Sequence, residues 1–143
     1  MTRHFPIYVP PNGPPSHRPD PAIYAQMGET NIFAMIEDLY SELEKSSIRS
    51  MFPEDMHAAA QKSASFFVFL LGGPPLYQER HGAPMMRKRH MEFDIDETAR
   101  QIWLDCFHKV LEHPEKYHFP PEHLQQFWEF LEKFSAWMVN KKD

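Results

Sequence analysis

The amino-acid sequence predicts an all-α fold, and three observations carry that prediction. Apolar residues recur with a period of about 3.6 in four separate stretches. Proline, glycine and acidic residues stand where those stretches begin and end. No stretch alternates apolar and polar residues as a half-buried strand would.

The first periodic stretch places Ile32, Ile36, Leu39 and Leu43 on one face, with Phe33 and Tyr40 beside them and Thr30 or Asn31 as the expected N-cap. The second begins at Pro53-Glu54-Asp55, where proline suits the first turn and the acids suit the positive end of the helix dipole. It runs through Ala59, Ala60, Phe66, Phe67 and Leu70 and stops at Gly72-Gly73-Pro74-Pro75. A third follows Asp94, with Ile95, Ala99, Ile102, Trp103, Cys106, Val110 and Leu111 facing inward. A fourth starts near Pro120-Pro121 and turns Leu124, Phe127, Trp128, Leu131, Phe134, Trp137 and Met138 inward. Residues 75–93, between the second and third, keep no periodicity beyond one turn and are expected to be mostly loop. Seven of the fourteen prolines fall within residues 1–22, so this segment is expected to be an irregular or polyproline II extension to a domain over residues 23–143. It is either a docking arm for another protein or a tail lying on the domain surface.

At 143 residues the chain sits at roughly one domain and can bury ~68–70% of its unfolded surface. Hydrophobic residues make up 42% and charged residues 24%, which argues against wholesale disorder and against a membrane protein. Twelve Phe, three Trp, five Tyr and nine Met exceed what closing a small helical interior takes, so something bulky is expected inside. A net charge of -5 gives no basic footprint, and nucleic acid is not an expected partner. The longest apolar run, residues 66–71, is far below the ~20 residues that span a bilayer, and no apolar signal region precedes the first prolines. Cys106 is the single cysteine, which excludes a disulfide framework or a thiolate zinc site and points to a reducing, cytoplasmic location.

A connection of about nineteen residues is long for a compact helical domain, and such segments are usually functional or mobile. This one places His90 beside Arg87 and Arg89 and among Met86, Met91 and Phe93. Taken alone, the cluster reads as a solvated surface patch; three cations on an acidic chain do not sustain a nucleic-acid patch. The functional reading joins an imidazole that can hold a metal, cations that can pair with carboxylates, and apolar bulk that can cover a flat hydrophobic surface. Haem asks for all three, with histidine on the iron, arginines on the propionates and aromatic rings on the porphyrin. A lone histidine does not make a zinc site, which takes three or four protein ligands.

The series Phe52-Pro53-Glu54-Asp55, Gly72-Gly73-Pro74-Pro75-Leu76-Tyr77, Gly82-Ala83-Pro84, Arg87-Lys88-Arg89-His90, Phe93-Asp94-Ile95 and Arg100-x-x-Trp103-Leu104-x-Cys106 resembles the bacterial group II truncated haemoglobins, from about Tyr24 to the end of the fourth helix. The resemblance implies a two-over-two helical sandwich that binds haem b, with His90 matching the proximal ligand. It assigns Tyr40 and Trp103 to the distal face and Phe52 and Phe66 to packing on the haem. Ala59 falls at the distal gate, with Lys62 and Ser63 one turn further along. Tyr77, Arg87, Arg89 and Phe93 complete the expected cofactor-binding set. Two intervals, from Tyr40 to Phe52 and from Phe52 to Gly72, are one residue shorter than the family's, so Ala60 and Ala64 could replace Ala59 and Ser63. The family's Gly-His-Pro is here Gly82-Ala83-Pro84 with His81 earlier, and its early Gly-Gly is Gly28-Glu29.

An O–H from Tyr40 and an indole N–H from Trp103 would stabilise a gas ligand that carries partial negative charge, and two such donors could slow O2 loss by a factor of ~100 or more. O2 and NO chemistry is therefore expected rather than bulk transport, with CO as a further diatomic ligand. Peroxidase chemistry would gain from a distal histidine base, and none is assigned. NO turnover needs the iron re-reduced, which implies an external electron donor. A gas or redox sensor acting through a partner protein stays open, as does a haem-free interaction module; so do the ferric sixth ligand and the oligomeric state.

Overall fold

The computed structural model describes residues 7–142, and every regular element among them is helical. In chain order these are α1 (Ala22–Glu44), α2 (Met56–Leu70), α3 (Leu76–His81), α4 (Met86–Arg89), α5 (Glu97–Leu111) and α6 (Leu124–Met138). Single 3-10 turns at Arg49–Met51, Pro114–Tyr117 and Pro121–His123 join them. No helix among the described residues is long and apolar enough to cross a membrane.

The four long helices form where the apolar period predicts them, with shifted starts. α1 begins at Ala22 rather than Thr30, because Ile23 and Met27 already form a buried i, i+4 pair there. Gly28 (φ 77, ψ 167) then breaks the helical path, and the Asn31 side chain donates across the break to the Met27 carbonyl (2.8 Å). Asp55 caps α2 by accepting from the Ala58 N–H (3.0 Å), and Asp96, two residues after Asp94, caps α5 by accepting from Ala99 (2.9 Å). Residues 75–93 are not mostly loop, since α3 and α4 both lie within them. Helices of six and four residues are too short for a 3.6-residue period to register in the sequence.

α1 packs on α2 and α5 packs on α6, and α1 also meets α5. The core between these pairs is aromatic. Phe67, Phe107 and Phe127, one each from α2, α5 and α6, are at most 3% exposed, with ring centroids 5.8–6.5 Å apart. The end of α2 closes tightly on the start of α1, where Tyr24 N–H donates to the Leu71 carbonyl (3.1 Å). Gly72 makes that approach possible: its φ is +111, and a Cβ there would lie 2.5 Å from Pro21 Cα.

Residues 7–21 run along the helical domain. Pro10 and Pro19 are buried. Arg18 donates to the Phe69 carbonyl (2.7 Å) with its guanidinium 4.3 Å from the Phe69 ring centre, and Tyr8 N–H donates to the Asn140 carbonyl (3.0 Å). Replacing Gly72 with Ala is expected to destabilise the fold by about 2 kcal/mol or more, because it adds left-handed strain to a backbone clash. Urea denaturation of the variant beside the parent protein measures it.

Candidate functional site

His90 stands directly after the four-residue helix α4. His90 closes α4, its backbone N–H donating to the Met86 and Arg87 carbonyls (3.1 Å each). Its ring Nδ1 lies 2.6 Å from the same Met86 carbonyl. A carbonyl only accepts, so Nδ1 carries the proton and Nε2 keeps its lone pair. Burial pulls the His90 pKa below the ordinary imidazole value, against smaller opposing effects of the Met86 carbonyl and Glu92. The ring is therefore a neutral donor with one committed nitrogen, the state in which an imidazole binds a metal.

His90 borders a cavity of about 370 Å³, within the size range of small-molecule sites. α1 contributes Tyr40, and the corner after it contributes Phe52. Ala59, Lys62, Ser63 and Phe66 come from one face of α2, at spacings of three, four and seven residues. Tyr77 of α3, Arg89 beside His90, and Phe93 continue the wall, and Trp103 adds a half-buried indole from α5. Thus the structure brings eleven of the twelve sequence-predicted residues around one space: Tyr40, Phe52, Ala59, Lys62, Ser63, Phe66, Tyr77, Arg89, His90, Phe93 and Trp103. The alternatives Ala60 and Ala64 turn into the core, 2% and 0% exposed. His57 and His81 do not line the cavity.

Arg87 is the exception. Its guanidinium does not line the cavity but donates to the backbone carbonyls of Trp137, Val139 (2.8 Å) and Tyr8 (2.8 Å), above the Trp137 ring. Arg89 lines the cavity, yet it too is engaged with backbone, donating to Pro84 (2.7 Å), His81 (2.9 Å) and Ala83 (2.9 Å). Lys62 is exposed at the cavity edge.

Two donors with fixed surroundings sit among the apolar walls. The Tyr40 phenol packs edge-on to Phe52 (centroids 5.6 Å apart), and burial raises its pKa, with a hydrogen bond to Ser63 pulling partly back. Trp103 packs edge-on to Phe107 (5.2 Å). Phe66 stacks on Phe134 and meets Tyr77 edge-on, each at 6.0 Å. Beyond the expected cofactor-binding set, the wall also includes Phe134, Ser135 and Met138 of α6, Met86, and Ile95, Ala99 and Arg100 around the start of α5. The period had marked Phe134 and Met138 as inward-facing; it does not separate a face that meets another helix from one that meets a hollow.

No group of three or more His, Cys, Asp or Glu side chains capable of holding a metal assembles among the described residues. A metal at His90 would therefore need its other ligands from a carrier group. A flat macrocycle fits that donor set: one neutral imidazole, an aromatic-lined cavity, and Lys62 and Arg89 toward carboxylates.

The family model for bacterial-like globins matches residues 22–140. The chain is 34% identical over 93 residues to Group 2 truncated hemoglobin YjbI of Bacillus subtilis, covering 64% of this chain and 70% of that one. Among solved structures, phosphate-bound Hell's gate globin IV superposes with a TM-score of 0.82 at 36% identity, covering 91% of this chain and 81% of that one. The truncated oxygen-avid haemoglobin from Bacillus subtilis superposes with a TM-score of 0.76 at 31% identity, covering 85% and 99% respectively.

The His90 geometry has a measurable consequence in the protein without added ligand. Nitrogen-15 spectra are expected to show Nδ1 protonated and Nε2 bare at neutral pH. Because folding lowers the pKa of this base, its contribution to stability is present above its ordinary value of 6.5 and is lost as pH falls from there toward the folded value. A His90 ring that protonates at 6.5 or above in the folded state would contradict the geometry.

Proposed function

The chain belongs to the bacterial-like globin family as a two-on-two, group II truncated haemoglobin, and from that premise we propose that it holds haem b on His90 and processes O2 and NO beside Tyr40 and Trp103. Binding of haem and of diatomic gases such as O2 goes with the family. The observation that carries the finer reading is the neutral His90, Nδ1 committed to Met86, opening on the same cavity as the Tyr40 hydroxyl and the Trp103 indole. Haem held there by His90 would supply a redox-active iron able to bind a diatomic gas.

His90 presents Nε2, and its bond to Met86 makes that nitrogen a better donor. Phe52, Phe66, Tyr77 and Phe93 exclude water and cover the flat faces of the macrocycle, while Lys62 and Arg89 suit the propionates. Arg87 is not assigned to the cofactor. The Tyr40 hydroxyl lies on the cavity wall, and burial keeps that phenol protonated at physiological pH, so its proton is available to a ligand in the cavity. The Trp103 N–H is a second donor. Each such bond to a partly charged ligand contributes about 1.5–3 kcal/mol, so the pair favours retention of O2 over rapid release. His90 is the one imidazole on the cavity wall among the described residues, and no second histidine stands ready as a peroxide base. CO is a further ligand, and an external donor re-reduces the protein between turnovers. The lone buried Cys106 thiol suits a reducing compartment, and we assign the protein to the cytoplasm.

Stopped-flow mixing of the reduced, O2-equilibrated protein with NO tests the proposal. Rapid stoichiometric loss of NO with formation of nitrate and ferric protein is the expected result; persistence of NO would reject the NO reaction and leave a gas-binding protein. His90→Ala is expected to lose haem or exchange to a weaker ligand, and wild-type haem content with an unaltered CO spectrum would show that another residue is the ligand. Trp103→Phe is expected to release O2 about tenfold faster through the loss of one donor, read by flash photolysis or stopped flow.

A further inference from the structure

We infer that Asn140 is a positioning residue for His90, and that Arg87 shares this task in place of the cofactor contact its position in the sequence suggests. The inference rests on His90 being the haem ligand. Asn140 is completely buried, and its side chain joins both ends of the turn after α4. Nδ2 donates to the carbonyls of His90 (3.3 Å) and Phe93 (3.0 Å), and Oδ1 accepts from the Ile95 N–H (2.9 Å). The Asn140 backbone pairs again with Ile95, its N–H donating to that carbonyl (2.9 Å).

The need for such a tie follows from α4 itself. Four residues make about one turn, far below the length at which a helix holds together alone, and Met85 enters that turn in the left-handed region at φ 41. The Nδ1 bond to Met86 orients the ring only relative to this small unit. Its place in the molecule must come from tertiary contacts. Asn140 supplies them after His90, and Arg87 supplies them before it by gripping Trp137, Val139 and the arm residue Tyr8. Both anchors reach the end of α6 or the stretch just after it, so the direction in which Nε2 points is set by residues 137–140 and, through Tyr8, by the N-terminal arm.

The test compares wild type, Asn140→Ala, Arg87→Gln and His90→Ala as reduced, gas-free haem proteins. Resonance Raman spectra read the iron–histidine stretch, transfer to an excess of haem-free acceptor globin reads haem loss, and circular dichroism controls for fold. Asn140→Ala is expected to shift or split the stretch and to speed haem loss about tenfold at unchanged helix content. Arg87→Gln is expected to change both in the same direction by about threefold in rate, which keeps the test intact if Asn140→Ala does not fold. An unmoved band and unchanged haem loss in the variants that fold, with the band absent from His90→Ala, would overturn the positioning role alone. A band that survives in His90→Ala would overturn the ligand assignment and this inference with it.

Discussion

The bond between His90 Nδ1 and the Met86 carbonyl is the contact on which the site depends, because it settles proton, tautomer and ring direction at once. An imidazole without it could offer either nitrogen. With it, only Nε2 is open, and burial keeps the ring uncharged. The bond spans one turn of a four-residue helix, so it fixes the ring only as well as that helix is fixed. That helix is fixed in turn to the end of α6 and, through Asn140, to the turn at Ile95.

The arginines show how that frame is held. Arg49 donates to the carbonyls of Phe52, Pro53 and Glu54; Arg89 to His81, Ala83 and Pro84; Arg87 to Trp137, Val139 and Tyr8. Each cluster sits where chain leaves or approaches a helix and carbonyls lack intrahelical partners. A planar fork with five N–H groups can satisfy several of them together, which an ammonium group does less well. A chain with net charge -5 thus commits these three of its fifteen Lys and Arg side chains to its own backbone.

This use of arginine also marks the limit of what the sequence reveals. The four long helices were legible because burial of an apolar face imposes a period over three or more turns. That His90, Tyr40 and Trp103 meet at one cavity was legible through their order and spacing within a family pattern. Arg87 was not, because an arginine next to a histidine looks the same whether it faces a cofactor or a carbonyl. α3 and α4 escaped for lack of length, and so did the short helical segment from Ala22 to Met27, which the non-helical Gly28 separates from the stretch the apolar period marks. Asn140 gave no signal, since its side chain reaches main-chain groups of His90, Phe93 and Ile95 and a methionine sulfur, 45 to 50 residues back.

The hydrogen bond from Tyr8 to Asn140 also brings two distant parts of the polypeptide to within 3.0 Å. A short peptide bridging these points would close the domain into a ring with little added loop entropy. New ends could then be opened in the exposed stretch around Glu112 and His113, which lies between α5 and α6 and away from the cavity wall. Such a circular permutant would retain the buried helices in a different order of synthesis, and so separate the connectivity of this domain from its pocket.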